Sequence, residues 1–213
     1  MPLEEQVLVI QRSVFDHVGV FHGLSFEVER YLSAFFAPGV PRFMPRAAAE
    51  TDPSFKQIIP YVILACDGKI VSYVRGKRAG ETRLVDRRSI GIGGHINPID
   101  DLPLFGDLRD AYGAAVEREV GEEVDVRAKH TDRIVALLND DTTEVGRVHL
   151  GIVHYWSLSS PDVTKREQMM TQLGFLTVDE LYAARDTLET WSQFCLDWIE
   201  ELGLPIRSAA TPV

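Results

Sequence analysis

The stretch that decides the fold is Arg118-Glu119-Val120-Gly121-Glu122-Glu123, near the middle of a chain of 213 residues. The spacing predicts a helix over 107–123, in which Leu108, Tyr112 and Ala115 follow one another by four and three residues and form one apolar stripe. The same steps lead onto the glutamates of the quoted stretch, which stand at i, i+3 and i+4 and are neighbours on a helix surface. If the apolar stripe faces the protein body, these three acids face inward or into a cleft.

Three carboxylates on one face, those of Glu119, Glu122 and Glu123, need a partner. Two like charges about 5 Å apart repel by roughly 3 kcal/mol at an effective dielectric constant of about 20. An acidic cluster in a cleft therefore needs protons or a cation, and Mg²⁺ prefers carboxylate oxygens and commonly bridges to substrate phosphates. The alternative is a solvated acidic face, because glutamate is common on exposed helix surfaces.

The run Gly93-Gly94-His95-Ile96-Asn97, followed by this acidic helix, resembles the signature of the Nudix hydrolases, G-x5-E-x7-R-E-U-x-E-E-x-G-U, in which U is aliphatic. The resemblance covers roughly residues 56–185. The chain departs from the signature twice. Fifteen residues separate Gly94 from Asp110, which stands at the first glutamate, where the signature has five, and Asp125 replaces the last glycine. We expect Asp125 to adopt a left-handed conformation at the helix exit. The matching residues are Arg118, Glu119, Val120, Glu122, Glu123 and Val126.

The resemblance implies an α/β (α+β) fold with a mixed β-sheet sandwiched between helices. It implies that Glu119, Glu122 and Glu123 bind a divalent metal ion, Mg²⁺ or Mn²⁺, and that the Gly94 backbone supports the same site. Arg118 would orient the acids by pairing with one of them. The family typically hydrolyses a diphosphate that is linked to another group. A carboxylate must also take a proton from the attacking water, and Glu119 is either that base or a metal ligand.

Two arginines are candidates for binding substrate phosphates. Arg75 is the preferred one, because it ends a predicted strand that leads toward the glycine-rich stretch, and Arg88 is the second. Arginine pairs well with phosphate oxygens, although a solvated loop side chain is the alternative for each residue. Both belong to a basic island in an otherwise acidic chain, formed by Arg75, Lys77, Arg78, Arg83, Arg87 and Arg88.

Further candidates lie in the glycine-rich stretch and in a later loop. Gly93 and Gly94 either contact the ligand or simply allow a tight crossing from strand to loop. His95 either contacts the substrate or anchors the loop that follows Gly94. Glu167 is a candidate general base, because in Nudix relatives an acid from a later loop sometimes has this role, and its alternative is an ordinary surface position.

Composition limits the partners. The chain has 22 basic and 32 acidic residues and a net charge of −10, which disfavours binding of a nucleic acid polymer through its phosphates. The longest apolar stretch, Ile58–Cys66, has nine residues and contains Pro60, against the roughly 20 that a membrane-spanning helix needs. No secretory signal is visible, and two cysteines fit a reducing cytoplasm. The six histidines and two cysteines show no zinc-like spacing, so we expect no structural zinc site.

We expect a single folded unit with three parts: an N-terminal strand and helix extension at 1–50, a Nudix-like domain at 51–187, and a C-terminal helix and tail at 188–213. Asp67-Gly68 between two β-branched runs predicts a hairpin. From about residue 163 onward the apolar spacing predicts helices. The remaining predicted elements are strands at 7–11, 133–139 and 145–157, a helix at 26–36 that Ser25 caps, a proline-rich connector at 37–46, and a helix at 188–202.

The resemblance supports a hydrolase that cleaves a phosphoanhydride bond in a small nucleoside- or sugar-diphosphate-linked metabolite. One alternative is a non-catalytic Nudix-like protein that binds a nucleotide or metabolite and regulates a partner. A lesser alternative is a relative of isopentenyl-diphosphate isomerase, which requires a cysteine beside the metal. Trp191 and Trp198, seven residues apart on the predicted last helix, indicate core packing or a homodimer rather than a base-stacking platform. The sequence does not identify the substrate.

Overall fold

The computed structural model describes residues 4–76, 87–98, 108–168 and 170–204, without the side chains of 108–111. The described residues fall into two compact units. The first unit lies within Met1–Tyr61, Gly93–Val120 and Ala136–Val153, and the second lies within Val62–Ile92, Gly121–Val135 and His154–Val213. The predicted boundaries at residues 50 and 187 remain predictions.

The architecture is a mixed α+β fold with one large sheet, which confirms the predicted fold class. The strands are β1 (Gln6–Gln11), β2 (Gly23–Ser25), β3 (Arg42–Pro45), β4 (Phe55–Cys66), β5 (Lys69–Arg75), β6 (Arg88–Ser89), β7 (Ile92–Gly93), β8 (Val124–Val126), β9 (His130–Asn139), β10 (His149–Leu158), β11 (Val163–Lys165) and β12 (Met170–Thr177). The helices are α1 (Arg12–Val18), α2 (Val28–Phe35), α3 (Arg46–Ala49), α4 (Leu108–Glu123), α5 (Glu144–Val148), α6 (Val178–Ala183) and α7 (Thr190–Asp197).

The large sheet runs in the order β12-β5-β4-β10-β9-β2. Off this path, β1 pairs with both β3 and β4, β6 pairs with β5, and β7 pairs with β4, while β8 and β11 form a separate two-stranded sheet. β4 is buried along almost its whole length, which is typical of a central strand. Among the described residues, no helix has the length and apolar character needed to cross a membrane.

The predicted hairpin between β4 and β5 is confirmed. Asp67 and Gly68 both have positive φ angles, 50° and 74°, as a two-residue type I′ turn requires. Ala65 pairs with Ile70 and Cys66 with Lys69 across the turn. The local sequence rule was sufficient here because the turn chemistry alone determines the register.

Other predicted elements differ. Ser25 pairs with Leu137 in the ladder between β2 and β9, so its backbone is extended and α2 begins only at Val28. The predicted strand at 145–157 begins as helix α5, because the Thr143 side chain accepts a hydrogen bond from the Gly146 N–H at 3.0 Å and caps that helix. In the predicted connector, residues 42–45 form β3 against β1.

The C-terminal region is the largest departure from prediction. β11 and β12 precede α6 where the apolar spacing predicted only helices, and the last helix is limited to Thr190–Asp197. Gln172 interrupts the alternation of β12 with a φ of 51°, and the register with β5 shifts between Thr171 and Gly174. A bulge of this kind breaks the period-two pattern that identifies a strand. Trp198 is 47% exposed, and the homodimer remains a prediction.

A buried lysine stabilises the segment that leads into β10. Lys56 is 0% exposed, and its Nζ donates to Asn139 Oδ1 at 2.8 Å, Asp141 Oδ1 at 2.7 Å and the Gly146 carbonyl at 2.7 Å. It also lies 3.2 Å from the His149 carbonyl. Burial lowers the pKa of Lys56, and the Asp141 carboxylate opposes that shift. A buried ammonium is stable only when its donors are satisfied in this way.

A substitution at Gly146 tests how closely this segment is packed. A Cβ at position 146 would lie 1.8 Å from the backbone oxygen of Asp140. We therefore expect Gly146→Ala to lower the free energy of unfolding by about 1–3 kcal/mol or more, because the backbone must shift. Urea denaturation followed by circular dichroism measures the change.

Gly113→Ala in α4 is the matched control. Nothing lies within 4 Å of a Cβ built there, so alanine should stabilise the helix by about 1 kcal/mol. If both variants unfold at the wild-type urea concentration, the close approach between residues 140 and 146 is wrong.

Candidate active site

Helix α4 carries all three predicted glutamates, and their exposure differs. Tyr112 and Ala115 are buried, as the apolar stripe predicts. The Glu119 side chain is only 12% exposed, and Glu123 is half-buried. Glu122 is exposed, so it is not buried in the core, and its position in a cleft remains a prediction. At about 100° per residue, Glu122 lies roughly a quarter turn from the centre of the buried face.

The Glu119 carboxylate lies directly against the backbone of Gly94. A Cβ at position 94 would be 1.6 Å from Glu119 Oε2, which is far inside any allowed contact. Gly93 is constrained separately, because its Cβ would lie 2.6 Å from the carbonyl oxygen of Pro60. The close approach at Gly93 is to backbone, which cannot move easily, whereas the one at Gly94 is to the end of a flexible side chain, so Gly94 makes room for an acid of the signature.

Arg118 connects the same acid to the glycine-rich stretch. Its Nη1 lies 2.7 Å from Glu119 Oε1, and its Nη2 donates to the His95 carbonyl at 3.3 Å. The pairing that the resemblance implied is present. One Glu119 oxygen faces Gly94 while Arg118 binds the other, so the carboxylate has a defined orientation.

In the second unit, a later loop is bound to the end of α4. The Glu123 carbonyl accepts hydrogen bonds from the N–H groups of Arg166 at 3.0 Å and Glu167 at 3.1 Å. The Arg166 guanidinium also donates to the Gly121 carbonyl and to Asp125 Oδ1, each at 2.8 Å. A cation that binds the last carbonyls of a helix is favoured by the helix dipole. The loop thereby holds the Glu167 backbone next to that of Glu123.

Asp125 does not have the left-handed conformation that we expected. It lies in β8, where it pairs with Thr164 of β11, so the helix passes directly into a strand. Hydrogen bonds from Arg127 and, to a lesser degree, Arg166 hold the pKa of Asp125 below its ordinary value. The pairing of β8 with β11 provides hydrogen-bond partners for the backbone that follows the helix. The side chain of Asp110 lies outside the described residues.

The two candidate phosphate-binding arginines contact protein groups in the second unit. Arg75 Nε lies 3.3 Å from Glu189 Oε2. Arg88 donates to Ser72 Oγ and to Gln172 Oε1, each at 3.0 Å. A phosphate bound to Arg75 or Arg88 would therefore share the guanidinium with the protein group that already contacts it. The role of both arginines in phosphate binding remains a prediction. Lys77, Arg78 and Arg83 lie outside the described residues.

The two cysteines do not favour thiolate chemistry. Cys66 ends β4 and Cys195 lies in α7, and both are buried. Burial raises the pKa of each thiol above its ordinary value, whereas a reactive cysteine has a lowered pKa. This argues against the isomerase alternative, which depends on a reactive cysteine.

The structure also brings together three residues that the sequence did not connect. Glu50 Oε1 lies 3.9 Å from His95 Nε2 and 3.8 Å from His149 Nε2, and the three ligand atoms all lie within 4.8 Å of one another. Burial, with smaller contributions from Arg46 and His149, lowers the pKa of His95 to about 3. These residues stand 45 and 54 positions apart in the chain, so no local spacing motif could have indicated them.

Comparison with known proteins identifies the family. No protein-family model matches the chain. It is 36% identical over 167 residues to protein YmaB of Bacillus subtilis (strain 168), a match that covers 75% of this chain and 78% of that protein. The crystal structure of Tm1382, described as a candidate Nudix hydrolase, superposes with a TM-score of 0.76 and 28% identity and covers 93% of this chain and all of that one. The chain belongs to the Nudix superfamily, in the family of YmaB.

A more distant Nudix structure resembles this chain in its fold but not in its sequence. The Nudix domain of NrtR from Shewanella oneidensis, solved with ADP ribose, has a TM-score of 0.50 and 12% identity over 68% of this chain and 85% of that one. The resemblance predicted from the glycine run and the acidic helix is thus confirmed at the level of the superfamily.

The contact between Gly94 and Glu119 gives a sharp test. Gly94→Ala must move the Glu119 carboxylate, whose flexible side chain supplies all the nearest atoms. We expect Mg²⁺ affinity to fall by about tenfold or more, with little change in the free energy of unfolding. Isothermal titration calorimetry and urea denaturation measure the two quantities.

Gly93→Ala should show the opposite behaviour. Its Cβ would press on the Pro60 backbone, so the free energy of unfolding should fall by about 1–3 kcal/mol. Unchanged Mg²⁺ affinity in Gly94→Ala would show that Glu119 is not part of a metal site.

Proposed function

We propose that this Nudix protein is a hydrolase dependent on Mg²⁺ or Mn²⁺ that cleaves a phosphoanhydride bond in a small metabolite. The substrate class is a diphosphate that joins a nucleoside or sugar to another group. The observation that carries the proposal is the Glu119 carboxylate, which Gly94 accommodates at its backbone and Arg118 orients. Membership of a superfamily with hydrolase relatives supports the same reading.

The residues on α4 fit a hard divalent ion. Glu119, Glu122 and Glu123 offer oxygen ligands at i, i+3 and i+4 on one helix, and Mg²⁺ prefers such ligands while keeping several waters. The exposure of Glu122 suits an ion that must also meet substrate. When bound, the ion would polarise a phosphoryl oxygen and lower the pKa of a bound water.

Two tasks remain for the side chains of the protein: one must orient the metal-binding acid, and one must take a proton from the attacking water. Arg118 holds one oxygen of the Glu119 carboxylate and also donates to the His95 carbonyl, which keeps the acid beside the glycine-rich stretch. Glu119 or Glu167 takes the proton from the attacking water. The second candidate lies in the loop that Arg166 attaches to the end of α4. A general base must reach the water at hydrogen-bond distance, and a base in that loop would be positioned by the backbone of Glu123.

The net charge of the chain supports a role for bound cations at the proposed site. The chain carries a net charge of −10, which repels a polyphosphate at long range. Metal ions at the α4 carboxylates would reverse the sign locally. Arg75 and Arg88 are the proposed additional cations for the substrate phosphates, and each would bind them while shared with a protein acceptor.

The acids of α4 provide the decisive variants. Glu122→Gln and Glu123→Gln each remove one charge without changing shape. Charge stabilisation by a metal ion is worth several kcal/mol, and about 1.36 kcal/mol corresponds to a factor of ten in rate. We expect each variant to reduce kcat/KM by about 100-fold or more.

Glu117→Gln is the matched control, because Glu117 is an exposed glutamate of the same helix. It should keep the wild-type rate. Rates of Glu122→Gln and Glu123→Gln equal to that of the control would refute the site assignment.

Substrate identity requires a screen. Nucleoside, sugar and coenzyme diphosphates, ADP-ribose included, would be incubated with the protein and Mg²⁺. Phosphate release would be read with and without a coupled phosphatase. The coupled signal alone indicates a phosphomonoester product, which is expected for cleavage within a diphosphate bridge.

The second candidate function is a non-catalytic regulator that binds the same class of metabolite. The two departures from the signature favour it, because Asp110 replaces the first glutamate and Asp125 replaces the last glycine. Calorimetric binding of a compound from the screen without turnover would support this reading. Metal-dependent turnover of the same compound would exclude it.

A further inference from the structure

The cluster of Glu50, His95 and His149 is a second place where a cation fits. All three residues lie in the first unit, and none of them belongs to the Nudix signature on α4. We propose that they form a site for a borderline divalent transition ion such as Zn²⁺, in addition to the carboxylate site proposed above. Each of the three residues supplies one ligand atom, and these atoms lie within 4.8 Å of one another.

The orientation of His149 is set before any ion binds. Its Nδ1 lies 2.7 Å from the Val145 carbonyl oxygen. A carbonyl only accepts, so Nδ1 carries the proton, and in the neutral ring Nε2, 3.8 Å from Glu50 Oε1, is the nitrogen that can bind a metal ion. Metal-binding histidines typically have this second hydrogen bond, which fixes their tautomer and orientation. Lys56 holds the same segment through the carbonyls of Gly146 and His149.

His95 offers a ring nitrogen whose environment fits a ligand. Its side chain is 15% exposed, and its Nε2 is buried without a hydrogen-bond partner among the described residues. A buried polar atom without a partner costs folding free energy unless something satisfies it. A metal ion between His95 and Glu50 would satisfy it, because both atoms face the same small space.

Glu50 completes the set from a third segment. It is the C-cap of α3, and its side chain is 31% exposed, which leaves a route for the ion. Two ligands on a tetrahedral Zn²⁺ with bonds of about 2.1 Å are about 3.4 Å apart. The separations of 3.9 and 3.8 Å from Glu50 Oε1 to the two histidines exceed that value by about half an ångström, so the ligand atoms must move closer together when an ion binds.

The chemistry of the ligands determines the class of ion. Two imidazoles and one carboxylate bind Zn²⁺ and similar ions well, whereas Mg²⁺ prefers oxygen ligands alone. Three protein ligands also leave a coordination position for water. Arg46 is a competing cation, since its Nε lies 3.6 Å from Glu50 Oε1. An ion must therefore share the carboxylate with Arg46 or displace it.

Bound metal would link three segments that are distant in sequence. Glu50 follows α3, His149 begins β10, and His95 directly follows Gly94. An ion held by all three would stabilise the native state, because it binds the folded chain and finds no preformed site in the unfolded one. It would also restrain the glycine-rich stretch on which Glu119 rests.

The test uses the full-length chain, freed of metal with a chelator. Zn²⁺ affinity would be measured by competition with a chromophoric chelator, and Co²⁺ would report the ligand geometry through its visible absorption. We expect one tightly bound Zn²⁺ per chain, and we expect Glu50→Gln, His95→Gln and His149→Gln each to weaken this tight binding by about tenfold or more. Thermal unfolding without metal would identify any variant that fails to fold, and Glu50→Gln, at a partly exposed cap, is the variant least subject to that failure.

Two controls decide the outcome. His17→Gln makes the same substitution on exposed α1 and should keep wild-type Zn²⁺ affinity, as should Glu117→Gln, which changes an exposed glutamate of α4 outside the proposed carboxylate site. Arg46→Gln removes the competing cation and should tighten binding a few-fold. Wild-type Zn²⁺ affinity in folded Glu50→Gln and His149→Gln would overturn the proposal, and so would loss of the tight site in Glu117→Gln.

Discussion

The carboxylate of Glu119 occupies the space that any side chain at position 94 would fill. This close approach places the end of the Glu119 side chain on helix α4 against the backbone of the glycine-rich stretch. Arg118 makes the connection rigid, because it binds the second Glu119 oxygen and the carbonyl of the residue after Gly94. In this chain a glycine pair followed later by Arg-Glu thus has a steric and an electrostatic reason within the first unit.

Local rules predicted those parts of the fold in which neighbouring residues interact. The helix over 107–123 follows from apolar spacing, and the Asp67-Gly68 turn follows from the need for two positive φ angles. The glutamates on α4 could be placed on one helix surface for the same reason. Where a partner distant in sequence decides the conformation, prediction from sequence was wrong. Ser25 pairs with Leu137 instead of capping a helix, and Asp125 enters a strand against Thr164.

The cluster of Glu50, His95 and His149 could not be predicted from the sequence for the same reason, because its members are distant in the chain. Each residue type is an ordinary metal ligand, but the three lie on segments that only tertiary structure joins. The position of His149 depends on Lys56, a buried ammonium whose partners include the His149 carbonyl. No pattern around residues 50, 95 or 149 contains that information. In the structure, the segment before β10 is held in place by the buried Lys56 and by the close contact between Gly146 and the Asp140 backbone.

The two ligand sets differ in a way that would separate two kinds of ion. Zn²⁺ binds most oxygen ligands more tightly than Mg²⁺ does, so a half-exposed carboxylate site alone discriminates poorly between them. Selectivity in such a chain must come from ligand type and local abundance of the ions. A cluster with two imidazoles retains the scarce borderline ion, whereas carboxylates on a helix surface bind the abundant hard ion weakly and reversibly. With a net charge of −10, the chain attracts both cations, and the nitrogen ligands of His95 and His149 are what would distinguish one from the other.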